Sequence, residues 1–121
     1  MKENVVFEKS KVFALRIVNL YKYLCMEKKE TILSKQMLRS GTSIGANVAE
    51  SICSVSTKDL LAKLYIAFKE CSETLYWLEL LSESGYLDEK EYRSIQSDCS
   101  EIYRLLSAIT KTLREQEKVE H

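Results

Sequence analysis

The sequence has no proline, three glycines, one histidine and one tryptophan in 121 residues. A β-sandwich or β-barrel needs turn residues at every hairpin, and this chain does not carry them. The one histidine is the last residue, His121, which we expect to be disordered. No Ser-His, Cys-His or metal-binding HxxxH arrangement can therefore be built. Neither sign of charge is in excess: Lys+Arg and Asp+Glu are both 18, and the net charge is +0. Non-specific nucleic-acid binding depends on a basic surface that neutralises phosphates, which overall neutrality argues against. No apolar run approaches the roughly 20 residues that cross a bilayer. The segment Met1-Lys2-Glu3-Asn4 lacks the apolar core of a signal peptide. These absences point to a soluble, cytosolic protein with no membrane partner.

The four cysteines, Cys25, Cys53, Cys71 and Cys99, fall one to each expected helix, and no CxxC pair occurs. That spacing suits neither a zinc site nor a disulfide framework, so we expect no metal and no cofactor. Cys71 and Cys99 stand on apolar heptad positions, where a free cysteine behaves as a small hydrophobe. The chain also has no GxSxG, P-loop or GxGxxG. Glu70 and Glu73 share a turn, but no helical histidine is present to complete the Glu-x-x-His pattern of a di-iron bundle. No catalytic residues are assigned, and the chain is read as a non-enzyme.

What is present is helical periodicity over one domain, residues 1–121. Helix A is expected over about 6–26, with the core stripe Val6, Ser10, Phe13, Ile17, Leu20 and Leu24. A second row, Phe7, Ala14, Val18, Tyr21 and Cys25, lies beside it. Thr31 is the expected N-cap of helix B, 32–55, whose core row is Met37, Gly41, Ile44, Val48, Ser51 and Val55. Ser56 with Asp59 opens helix C, 57–84, and Gly85 ends it. Asp88 with Glu91 opens helix D, 89–114, beyond which the polar tail is expected to fray. Short connections make consecutive helices antiparallel neighbours. The fold class is therefore all-α, an up-down-up-down antiparallel four-helix bundle.

Helix B carries the most specific pattern. Gly41, Gly45 and Ala49 recur every four residues and form a close-packing groove that another backbone can approach. Ser40 is expected to lie off it, so leucine should be better tolerated at 40 than at 45. A polar row, Arg39, Ser43, Asn47 and Glu50, runs along another side. With Glu73 on helix C it makes a candidate structural polar network, the alternative being a solvated face. Apolar residues beyond the core seams, namely Phe7, Val18 and Tyr21 on helix A and Ile66, Trp77 and Leu80 on helix C, form the candidate oligomer interface.

The stretch Met37-Leu38-Arg39-Ser40-Gly41-Thr42-Ser43-Ile44-Gly45-Ala46-Asn47-Val48-Ala49-Glu50-Ser51 resembles the helix-two signature of the bacterial four-helix-bundle family, also called the 23S ribosomal RNA intervening-sequence proteins. Arg39, Ser43, Ile44, Asn47, Ala49 and Glu50 match that signature, and Gly45 and Ser51 depart from it. The segment Ile66–Leu75, in which Glu73 corresponds to a typical glutamate, and the turn Ser84-Gly85-Tyr86-Leu87-Asp88 resemble the family's later motifs. The resemblance spans nearly the whole chain. It implies a bundle that assembles as a ring-like homopentamer. It also implies kinship with the accessory bundle proteins of diversity-generating retroelements, which are basic and associate with nucleic acid and reverse transcriptase. Two functions follow as expectations. One is a non-catalytic homo-oligomeric scaffold with a nucleic-acid or nucleoprotein partner. The other is a protein-only adaptor that binds no nucleic acid.

Overall fold

The computed structural model describes residues 2–120, with side chains described for 5–119. His121 lies outside the described residues. Four helices follow one another: α1 (Lys2–Met26), α2 (Leu33–Ser51), α3 (Thr57–Glu83) and α4 (Glu89–Glu120). Among the described residues there is no strand. Short connections return each helix along its predecessor, which gives a four-helix bundle. Helix α2 packs between α1 and α3, and α4 packs between α3 and α1, so α1 and α3 stand on one diagonal.

The core is the set of residues that the periodicity marks. Val6, Phe13, Ile17 and Leu24 of α1 are buried, as are Met37, Ile44 and Val48 of α2. Leu64, Cys71 and Leu78 of α3 and Ile95, Cys99, Ile102 and Leu106 of α4 complete it. Local signals set most of the helix ends. The Ser56 hydroxyl accepts the Asp59 N–H at 3.0 Å, and the Asp88 carboxylate accepts the Glu91 N–H at 2.7 Å. Gly85 sits at φ +89°, and the Tyr86 N–H reaches back to the Leu81 carbonyl at 2.9 Å. This left-handed stop is one that glycine makes without strain.

Four expectations about helix ends need correction. Helix α1 begins at Lys2, not near residue 6. Helix α2 stops at Ser51, not 55. Beyond it Ile52, Cys53 and Ser54 donate to the third residue back, which tightens the chain out of the α-helix. Val55 is consequently exposed, not part of a core row, and Cys53 lies exposed in the turn beyond the helix, not on it. The residue serving the start of α2 is Glu30, not Thr31. The Glu30 carboxylate accepts the N–H groups of Ile32, Leu33 and Ser34 at 3.1, 2.9 and 2.7 Å. Helix α4 continues past 114 to Glu120, because Arg114-Glu115-Gln116-Glu117-Lys118 are strong helix formers with no glycine or proline among them.

The small-residue groove is occupied by α1, but only along part of its length. A Cβ on Gly41 would lie 2.9 Å from both branches of Ile17, and one on Gly45 would lie 3.3 Å from the Ser10 backbone oxygen. Ala49 is exposed and contributes nothing to this contact. Ser40 is not a tolerant position either. It is fully buried, and its hydroxyl meets that of Thr74 at 2.9 Å.

Candidate functional site

The polar row of α2 faces α3. Two turns of α2 present Arg39, Ser43 and Asn47, and two turns of α3 present Glu70, Glu73 and Trp77. The Arg39 guanidinium divides between two carboxylates. Its Nη1 donates to Glu70 at 3.2 Å, and its Nη2 donates to Glu73. Ser43 donates to the same Glu70 oxygen at 3.0 Å, and Asn47 donates to the Ser43 carbonyl at 2.9 Å and to its hydroxyl at 3.1 Å. Trp77 donates its indole N–H to Glu73 at 3.0 Å. The cluster thus joins two helices through five side chains and one indole.

Its electrostatics follow from these bonds. The Trp77 indole N–H, then Arg39, hold the Glu73 carboxyl below the ordinary glutamate range. The bond to Glu73 raises the Arg39 pKa further. A carboxylate stabilised in this way is a poor general base. The arrangement favours holding one geometry over moving protons. The site is half open: the Arg39 side chain is 51% exposed, whereas Glu70 is 17% exposed. Next to it Tyr76 and Trp77 stack edge-on with ring centroids 5.0 Å apart.

The residues singled out from sequence separate in space. Arg39, Ser43, Asn47 and Glu73 converge. Glu50 does not join them; it pairs with Lys63 at 3.1 Å. Glu70 is the member that sequence reasoning left out, although its place one turn before Glu73 was visible. The candidate interface residues also divide. Ile66 is exposed, but Phe7, Tyr21 and Trp77 pack partly against the core, and Val18 and Leu80 are half-buried. The apolar side chains that α1 does expose are Val5, Val12, Leu15 and Met26, together with Tyr23. On α3 they are Tyr65, Ile66 and Tyr76.

Two other places hold concentrated chemistry. At the α1–α4 edge Arg16 donates to Asp98 at 2.8 Å, Ser94 at 2.8 Å and Glu91 at 3.3 Å, and Lys9 pairs with Glu101 at 3.1 Å. A cleft of about 490 Å³ opens beside Arg16, floored by Leu20 and Leu87 and flanked by Tyr23 and Tyr86. Between α3 and α4 the sulfurs of Cys71 and Cys99 lie 3.6 Å apart. Among the described residues no group of three or more His, Cys, Asp or Glu side chains is arranged to hold a metal ion. No helix among them is long and apolar enough to cross a membrane.

Comparison with known proteins adds three findings. The family model for 23S rRNA-intervening sequence proteins matches residues 2–108. The chain is similar to a crystal structure of a protein of unknown function from the S23 ribosomal protein family of Bacteroides thetaiotaomicron VPI-5482. The two share 55% sequence identity over 92% of this chain and 99% of that one, with a TM-score of 0.90. No curated protein matches.

Proposed function

The chain belongs to the 23S rRNA-intervening sequence protein family, and on that premise we propose that it is a non-catalytic scaffold that assembles with copies of itself into a closed ring. The observation that carries this reading is the placement of its surplus apolar surface. Val5, Val12, Leu15 and Met26 lie exposed on α1, and Tyr65, Ile66 and Tyr76 lie exposed on α3. Because α1 and α3 are diagonal in the bundle, their outer faces point in opposite directions. Two different apolar faces on opposite sides make a head-to-tail contact, which closes into a ring when each copy is rotated on the last by a fraction of a full turn and otherwise grows as a filament. The homopentamer implied by the family resemblance is one such ring. The Arg39, Glu70 and Glu73 cluster fits this role as the fastening that fixes α2 against α3 behind the aromatic face. Residues 1–121 act as one domain in this reading.

The partner of the ring is read from charge. Five cations of the helix faces, Lys9, Arg16, Arg39, Lys63 and Arg93, are each paired with an acid. Such a mixed surface suits a protein partner. One feature bears on nucleic acid instead: Lys22, Lys28, Lys29 and Lys35 flank the α1–α2 connection, with Glu30 buried in the cap and with Asp88 and Glu91 of the neighbouring α3–α4 turn sharing a cleft with Lys28. Repeated around a ring, those lysines form a rim at which phosphates would bind against the neighbouring acids.

Light scattering coupled to size-exclusion chromatography tests the scaffold at micromolar concentration. A mass of several protomers supports it, and a monomer overturns it. Anisotropy of a labelled single-stranded RNA then separates the partners. Binding that weakens steeply with salt and disappears in a Lys28→Glu, Lys29→Glu variant supports the rim, and no binding at low salt supports the protein-only adaptor.

A further inference from the structure

Cys71 and Cys99 stand opposite one another across the α3–α4 seam, and both are fully buried. Their sulfurs are 3.6 Å apart, and each also reaches the backbone of the other residue. The Cys71 thiol donates to the Cys99 carbonyl at 3.3 Å, and the Cys99 thiol donates to the Cys71 carbonyl at 3.6 Å. A sulfur can touch the opposite carbonyl only where two helix backbones approach closely, which two small side chains permit. A disulfide needs the sulfurs at about 2.05 Å. Oxidation would have to draw the sulfurs together by the remaining distance.

We propose that Cys71 and Cys99 form an oxidisable pair, a modification site at which a peroxide converts two core thiols into a covalent staple between α3 and α4. One thiol loses its proton, and its thiolate attacks a peroxide oxygen. The O–O bond breaks, and the departing hydroxide takes up a proton to become water. The sulfur of the second thiol then attacks the sulfenic sulfur. The S–S bond forms, the S–O bond breaks, and the hydroxyl leaves as water with the second thiol's proton. Two thiols and one peroxide thus give one disulfide and two waters.

The surroundings set when this happens. The bond with Cys71, together with burial and the nearby Asp98, holds the Cys99 thiol strongly protonated. A buried, protonated thiol is inert, so oxidation proceeds from states in which the seam has opened. Cys53 is exposed and Cys25 is half-buried on other parts of the bundle. They are therefore the sites of faster, unpaired oxidation. The proposal does not depend on the scaffold reading, because both sulfurs lie inside one protomer.

The test uses the full chain carrying Cys25→Ser and Cys53→Ser, with its helicity first matched to the wild type by circular dichroism. The folded protein is treated with hydrogen peroxide, denatured, alkylated with N-ethylmaleimide and weighed. The expected product has lost two hydrogen atoms and takes up no maleimide. Proteolysis yields one peptide joining Cys71 to Cys99, and reduction restores both alkylation sites. The same linked peptide is expected from the oxidised wild type. Two maleimides per chain, sulfinic acid at either cysteine, or a link between chains would each overturn the proposal. A Cys99→Ala version, expected to leave Cys71 as a single alkylatable or over-oxidised thiol, confirms the need for the pair. Formation of an equal amount of disulfide without Cys99 would refute it.

Discussion

Ile17 and Gly41 meet with no room for a methyl group between them: a Cβ on Gly41 would lie 2.9 Å from both Cγ atoms of Ile17. The neighbour is a branched core side chain, fully buried, which cannot swing aside. Gly41→Ala gains about 1 kcal/mol of helix propensity, but overpacking of such a contact costs roughly 1–3 kcal/mol. We expect a net loss of stability, measured as a lower midpoint of urea unfolding. Ala49→Leu, at an exposed position of the same row, should leave the midpoint almost unchanged. Equal midpoints for both variants would show that α1 and α2 are not in close contact at Gly41.

Glu30 makes stability depend on acid. Burial pushes its carboxyl up, but the N–H groups of Leu33, Ser34 and Ile32 together outweigh that and hold its pKa below the ordinary glutamate range. A folded-state pKa below the unfolded one gives stability that is complete above about 4.5 and lost as pH falls through the lower folded value. Urea titrations from neutral to acidic pH should show this loss in the wild type. Glu30→Gln should be less stable at neutral pH by about 1 kcal/mol, and the gap should shrink in acid. A gap independent of pH would remove the carboxylate from this role.

Trp77 is the one tryptophan in the chain and donates to the Glu73 carboxylate, so its fluorescence reports on the state of Glu73. Because the Trp77 N–H and Arg39 keep Glu73 ionised below the ordinary glutamate range, the emission should change at a correspondingly acidic pH. The change should be absent in Glu73→Gln. An identical titration in that variant would dissociate Glu73 from the indole.

Arg39→Ala removes a guanidinium that is 51% exposed. Ion pairs at that exposure contribute about 0–1 kcal/mol, so a small fall in unfolding midpoint is expected. Thr74→Leu, which forces an apolar chain against the buried Ser40 hydroxyl, should cost more. The reverse order in thermal unfolding would place the strength of the α2–α3 seam in its charges.

A head-to-tail ring makes a complementation test available. Leu15→Glu spoils the α1 face and Ile66→Glu the α3 face, and both side chains are exposed, so each protomer should remain folded while losing assembly. Mixed together, the two retain one intact pair of faces and should form a dimer that grows no further. Scattering masses that stay at the oligomer in either single variant would move the interface elsewhere.

Much of this protein was readable from its residues because the information was local. The stripe through Val6, Phe13, Ile17 and Leu24 needs only helical periodicity, and Ser56, Gly85 and Asp88 act within a turn of themselves. Errors arose where a neighbour decides. Phe7 and Tyr21 looked like surplus surface, but α1 is flanked by α2 on one side and α4 on the other, which covers a wide arc. Glu50 shares a row with Arg39, but each pairs with whatever α3 places opposite it. Which of Glu70 and Glu73 meets Arg39 depends on the rotation of α3 about its axis, and both do. The meeting of Cys71 with Cys99 depends on the register between antiparallel helices, which no local pattern encodes. The cap of α2 was misassigned to Thr31 because the usual signal is a hydroxyl, whereas Glu30 reaches three N–H groups with a longer side chain.

The three broad seams, α1 with α2, α2 with α3 and α3 with α4, all join consecutive helices. Only the narrow α1–α4 edge, with its pairs from Lys9 and Arg16, brings the two ends of the chain together. A chain arranged in this way closes short loops first and leaves a single distant closure to the end. Folding rate follows the sequence separation of contacts, so the isolated protomer belongs with the helical bundles that fold in microseconds to milliseconds. Stopped-flow refolding that takes seconds would contradict this. The slow step of assembly would then be the encounter of folded protomers, recognisable by its dependence on concentration.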